Sequence, residues 1–94
     1  MDKELKAKWV SALRSGNYKQ GRRYLLSTGG THRCLGVLCE VASLPQERFR
    51  DVCWGPFQED GFLGLSRVDS ERLAEMNDDG VPFSEIADDI EQHL

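Results

Sequence analysis

Ninety-four residues suffice for one domain with one modest core and leave no room for a second unit. With 39% hydrophobic and 30% charged residues the chain has globular rather than disordered composition, and no apolar run approaches the ~20 residues of a membrane helix. The net charge of −4 is unevenly spread: residues 1–45 carry eight Lys/Arg against three acids (+5) and residues 46–94 four Arg against thirteen acids (−9), which suits either self-complementation within the fold or a polar face for a charged partner.

Leu5, Trp9 and Leu13 recur at helical spacing, which predicts an amphipathic helix over 2–15 ended by Gly16. Met1-Asp2-Lys3-Glu4 opens without an apolar run, so no export signal is expected and the expected setting is the cytoplasm. Gly29-Gly30 between Arg23–Thr28 and Thr31–Cys34 predicts a β-hairpin with a two-residue turn, pairing Thr28 with Thr31, Ser27 with His32 and Leu25 with Cys34. Leu35, Leu38, Cys39, Val41 and Ala42 predict a second helix over 35–43, stopped at Pro45. Residues 44–61 mix Phe49, Val52, Trp54 and Phe57 with turn signals and are expected to form a partly ordered loop or a short helix; Phe62–Leu65 is expected to add a short strand or an apolar docking segment. Asp69 is the expected N-cap of a helix through Asn77, with Leu73 and Met76 inward. After a turn at 77–80, Pro82 starts a last helix with an apolar stripe (Phe83, Ile86, Ile90, Leu94) and an acidic outer face. The expected class is therefore α+β: one domain over 1–94 with an N-terminal helix, a short β-hairpin and two or three further helices, the last acidic and amphipathic.

Trp9…Ala12-Leu13-Arg14-Ser15-Gly16, Cys34-Leu35-Gly36-Val37-Leu38-Cys39, Leu63-Gly64-Leu65, Asn77-Asp78…Gly80 and Glu85-Ile86-Ala87-Asp88, in this order, resemble a family of small phage and prophage proteins. The resemblance spans most of the chain except 44–61. It implies a setting, that of a phage accessory protein, for example one acting against host defence, and brings no assigned activity. Similar proteins carry two adjacent cysteines before Leu-Gly-Val-Leu, whereas Arg33 stands at the first of these positions here.

Catalytic and metal chemistry find little support. His32, Cys34, Cys39 and Cys53 are four residues of zinc-ligand type, but there is no Cys-x-x-Cys and Cys39 falls on the apolar stripe, so reduced, mostly buried thiols and no metal are expected. On a strand, His32 and Cys34 would share a face as a nucleophile and its base, yet no third orienting group accompanies them. A calcium loop with its glycine at Gly80 would end at Ile86, which cannot ligate. Residues 70–87 resemble the first two helices of a helix-turn-helix without a basic recognition helix after them, so DNA binding there is not expected. No glycine spacing suits a nucleotide loop, and no cofactor is expected.

The expected function is that of a non-enzymatic binding protein that modulates, most simply inhibits, a host or phage protein. Asp78, Asp79, Glu85, Asp88, Asp89 and Glu91 are the candidate contacts to a partner with a basic surface. The alternative is a protein that sequesters a nucleotide or other small anion through Arg22, Arg23 and Arg33. Neither membrane nor nucleic acid is an expected partner.

Overall fold

The computed structural model describes all residues, 1–94, and has the α+β class: four helices around one core, with a minimal two-stranded sheet. Helix α1 (Lys3–Ser15) begins where the Asp2 carboxylate accepts the Leu5 N–H at 2.8 Å and ends at Gly16, whose φ of 78° supplies the left-handed cap that other residues adopt at a cost. Trp9, Val10 and Leu13 are its buried face, and the Trp9 indole N–H donates to the Cys34 carbonyl at 2.9 Å, so the ring is both packed and satisfied. α1 packs against α2 (Cys34–Val41) and α4 (Phe83–His93), and α2 packs in turn on α3 (Arg67–Asp78).

The expected hairpin is reduced and shifted. The turn holds three residues, Thr28-Gly29-Gly30, because only Gly30 takes a positive φ (86°) and Ser27 closes the loop: its N–H donates to the Thr31 carbonyl and its hydroxyl accepts the Thr31 N–H. Leu26 therefore faces His32 in a single antiparallel bridge, where Ser27 was expected. The paired strands are β1 (Lys19–Gln20) and β2 (Thr31–His32), and they run parallel, Lys19 beside Thr31 and Gln20 beside His32. Cys34 is not a strand residue; it opens α2, so it does not share a strand face with His32.

The Leu25 N–H donates to the Val52 carbonyl and the Asp51 N–H to the Leu26 carbonyl, both at 2.8 Å, which fastens 25–26 to 51–52. Residues 44–61 accordingly form two 3-10 turns (Gln46–Arg48 and Gly55–Gln58), with Phe49 and Phe57 in the core and Trp54 half-buried. Phe62–Gly64 is a third such turn, not a strand, and Leu65 behind it is buried. Ser66, not Asp69, caps α3: its hydroxyl accepts the Asp69 N–H at 3.1 Å, and Asp69 sits in the first turn. The Ser-x-x-Asp pair suits a helix start with serine as the cap and the acid inside it. Pro82 stands just before α4, as its missing N–H allows, and Phe83, Ile86, Ala87 and Ile90 reach the core.

Candidate functional site

The most heavily bonded side chain of the interior is Asn77, in the last turn of α3 and 1% exposed. Its carbonyl oxygen accepts the Cys34 N–H at 3.0 Å and the Gln20 amide at 3.2 Å, and its amide donates to the Gly21 carbonyl at 2.8 Å and to Asp78 at 3.1 Å. Gln20 continues the network into the α3–α4 turn, donating to the Val81 carbonyl and accepting the Phe83 N–H. Every buried polar atom of the pair thus has a partner, the condition under which such networks rigidify a fold.

Asp78 extends this frame outward. It accepts from the guanidinium of Arg33 at both oxygens and from the Arg23 N–H at 3.2 Å. Arg33 is 7% exposed, donates a further bond to the Cys53 carbonyl at 2.8 Å and lies 5.1 Å above the Trp54 ring. Burial alone would raise the Asp78 carboxyl, but the bonds from Arg33, the Arg23 N–H and Asn77 outweigh it and hold it below the usual carboxylate range. Arg23 has a φ of 74°, a left-handed conformation for a non-glycine residue, at the centre of a tight turn closed by the Tyr24 N–H on the Arg22 carbonyl at 2.8 Å, and its own N–H bond to Asp78 braces that turn.

The α3–α4 turn thereby joins residues that the sequence had assigned to two separate sites. Arg23, Arg33 and Asp78 are in direct contact, and the Gly80 Cα faces Arg22, whose guanidinium would lie 3.3 Å from a β-carbon there. Arg33 and Asp78 satisfy each other inside the fold, which withdraws both from any partner. Arg22 and Arg23 are exposed without an acid partner, as are Asp79 and Glu85.

The rest of the expected acidic face lies elsewhere and is internally matched. Arg14 meets Asp88 at 2.6 Å and Glu91 at 2.7 Å, and Arg72 meets Asp89 at 2.7 Å. The Arg14 guanidinium lowers the Glu91 carboxyl and is itself held more firmly protonated by Glu91 and Asp88. The charge asymmetry is self-complemented only in part: Arg14 and Arg33 of the first half pair with Asp88, Glu91 and Asp78 of the second, whereas Arg72 meets an acid of its own half. Only Asp79 and Glu85 of the six expected acidic contacts remain without a cation.

Cys34 and Cys39 are fully buried, and burial first of all pushes both thiols up to about 12. The Cys34 thiol faces the Leu73 carbonyl at 3.5 Å, while His32 Nε2 meets Glu40 at 2.8 Å, so the nucleophile-and-base reading of Cys34 and His32 has no geometric basis. A thiol-labelling reagent at neutral pH is expected to modify half-buried Cys53 first; fast labelling of Cys34 or Cys39 would contradict their burial.

Asn77 and Gln20 escaped the sequence reading, although one signal was present. Asn77 lies one helical turn after Leu73, on the buried side of α3, where an amide must be bonded. Gln20 gave no comparable sign. No curated protein and no solved structure matches this chain. A family model matches residues 1–61, from α1 through the second 3-10 turn and including Arg22, Arg23 and Arg33, and the chain accordingly belongs to the family described as a domain of unknown function, DUF8296.

Proposed function

We propose that the protein is a non-enzymatic accessory module, phage- or prophage-encoded as its motif pattern suggests, that docks onto a host or phage protein and inhibits it. The supporting observation is the state of Arg22 and Arg23. Both residues are exposed and without an acid partner on a turn held by Asn77 and Asp78, the Arg23 guanidinium lying 5.3 Å over the Tyr24 ring, and neither lines any of the molecule's four cavities. Small ligands are held in concave sites, whereas arginines on a rigid convex surface suit a macromolecular interface. The anion-sequestering alternative also loses Arg33, which is bound to Asp78. The complementary surface would present carboxylates to Arg22 and Arg23 and a cation to Asp79.

The test is an affinity capture from bacterial lysate with the tagged protein and with Arg22→Glu/Arg23→Glu, at low and high salt. A single partner held by the native protein and released by salt is expected, with capture by the variant weaker by about tenfold or more. The melting temperature should stay unchanged, because both side chains are exposed and the Arg23 N–H remains. A partner retained equally by the variant would place the interface elsewhere, and a bait that returns bare would refute docking under these conditions.

A further inference from the structure

The outer face of α1 is made of small and basic residues. Ala7 and Ser11, one helical turn apart and both exposed, form a low ridge between two depressions of about 640 and 580 Å3, the largest on the molecule, and each of the two residues lines both. Lys3 borders the first depression and Lys8 the second, both exposed and without an acid partner. Lys6, half-buried, reaches the Glu91 carbonyl at 3.5 Å, and Arg14 is held by Asp88 and Glu91.

The outer face of α3 is its opposite. Val68, Glu71 and Glu75 stand at helical spacing on one exposed face. Val68 is 73% exposed, the most exposed large apolar side chain of the protein. Glu75 has no cation partner, and Glu71 meets Arg67 at 3.4 Å in a pair whose side chains are both more than half exposed and which therefore binds them weakly. The minority charges are reversed as well: Glu4 is the acid on α1, and Arg67 is the cation beside Val68 on α3. Helices α1 and α3 both pack on α2 and α4 rather than on each other, so these two faces cannot meet within one molecule.

We propose that the protein associates with itself head to tail, the Val68–Glu75 face of α3 in one copy lying across the Ala7–Ser11 face of α1 in the next. The small side chains of Ala7 and Ser11 let a second helix approach closely, and Val68 is the apolar group that such a contact covers. Glu71 and Glu75 then face Lys3 and Lys8, the sign pattern that steers two surfaces together. A second copy is the occupant because the chain itself carries the complement of its own α1 face, in apolar content and in both signs of charge. The contact joins two different surfaces, so each added copy leaves one face of either kind open and association grows stepwise with concentration. Exposed ion pairs contribute little each, which sets the expected dissociation constant at ~0.1–1 mM. These faces are separate from the Arg22/Arg23 turn, and their test is independent of docking.

The experiment is sedimentation equilibrium of the purified protein from ~20 µM to ~1 mM, at ~20 mM and ~500 mM salt, where screening differs strongly. The expected result is a weight-average mass that rises with concentration at low salt and falls back toward one chain at high salt. Val68→Ser should weaken association by about tenfold, the loss of one buried apolar side chain. Lys3→Glu/Lys8→Glu and Glu71→Lys/Glu75→Lys should each abolish it, and an equimolar mixture of the two should restore it, since each variant then meets its opposite. All five positions are exposed, so the variants keep the fold, which their melting temperatures check. The second variant also separates specific from general repulsion. It moves the net charge from −4 to 0 (−4 plus 4), which favours indiscriminate association, whereas the head-to-tail contact requires it to be monomeric. A native protein that stays monomeric at ~1 mM, association undiminished in Glu71→Lys/Glu75→Lys, or a mixture that stays monomeric would each overturn the proposal.

Discussion

Gly36→Ala is expected to destabilise the protein by about 3 kcal/mol or more, although the same change in an exposed helix interior would stabilise it by about 1 kcal/mol. Gly36 lies within α2, and a β-carbon built on it would fall 1.8 Å from the Leu25 carbonyl oxygen and 2.6 Å from its carbon. Those atoms are backbone, and they cannot step aside singly. The Leu25 carbonyl accepts the Arg33 N–H at 3.2 Å, and the Leu25 N–H is bonded to Val52, so any retreat loosens the 24–26 segment on both sides. The small side chain is what lets this segment lie directly against the first turn of α2. Urea unfolding monitored at Trp9 and Trp54 measures the effect; a domain of this size is stabilised by only about 5–15 kcal/mol in all. An alanine variant as stable as the native protein would mean that the close approach of Leu25 to α2 is wrong.

Asp78→Ala should cost a comparable amount, about 3–5 kcal/mol at neutral pH, because it strands the buried Arg33 guanidinium. It also removes the acceptor that braces the turn at Arg23. The pH dependence gives an independent signature. The folded-state carboxyl of Asp78 is held below its ordinary value, so its stabilising contribution is full above the unfolded carboxylate range, ~4, and is lost as pH falls through the folded value. The native protein should therefore lose stability below pH ~4 more steeply than the variant, and the two unfolding curves should converge at the acid end. If the gap at neutral pH persisted undiminished in acid, the cost would have to come from lost packing instead of the ion pair. Asp78→Asn, which keeps the shape without the charge, separates these causes further.

What the sequence determined by itself was chiefly what depends on near neighbours. Apolar spacing predicts α1, α2, α3 and α4 within a few residues, since the stripe Trp9–Leu13 or Ile86–Ile90 needs no knowledge of what covers it. The stops at Gly16 and Pro82 are equally local, set by a left-handed φ and a missing N–H. The α+β class and the packing role of Cys39 follow from the same patterns.

Long-range pairing decided the rest. The turn at Thr28–Gly30 gained a residue through a local bond between Ser27 and Thr31 that the sequence did not announce, whereas the paired strand beside His32 came from distant Gln20, the hairpin partner Leu26 giving only a single bridge. The 44–61 segment is ordered by distant partners: the Leu25 and Leu26 backbone, the Arg33 guanidinium on the Cys53 carbonyl, and the core that takes Phe49 and Phe57. The acidic face likewise reads as free charge along the chain, because nothing local reveals that Arg14 reaches Asp88 and Glu91 or that Arg33 reaches Asp78. An ion pair between distant segments is a property of their packing, so a list of charges shows only which partners are available. The tertiary structure decides which of them pair, and Arg22, Arg23, Asp79 and Glu85 are among those it leaves exposed without an opposite charge.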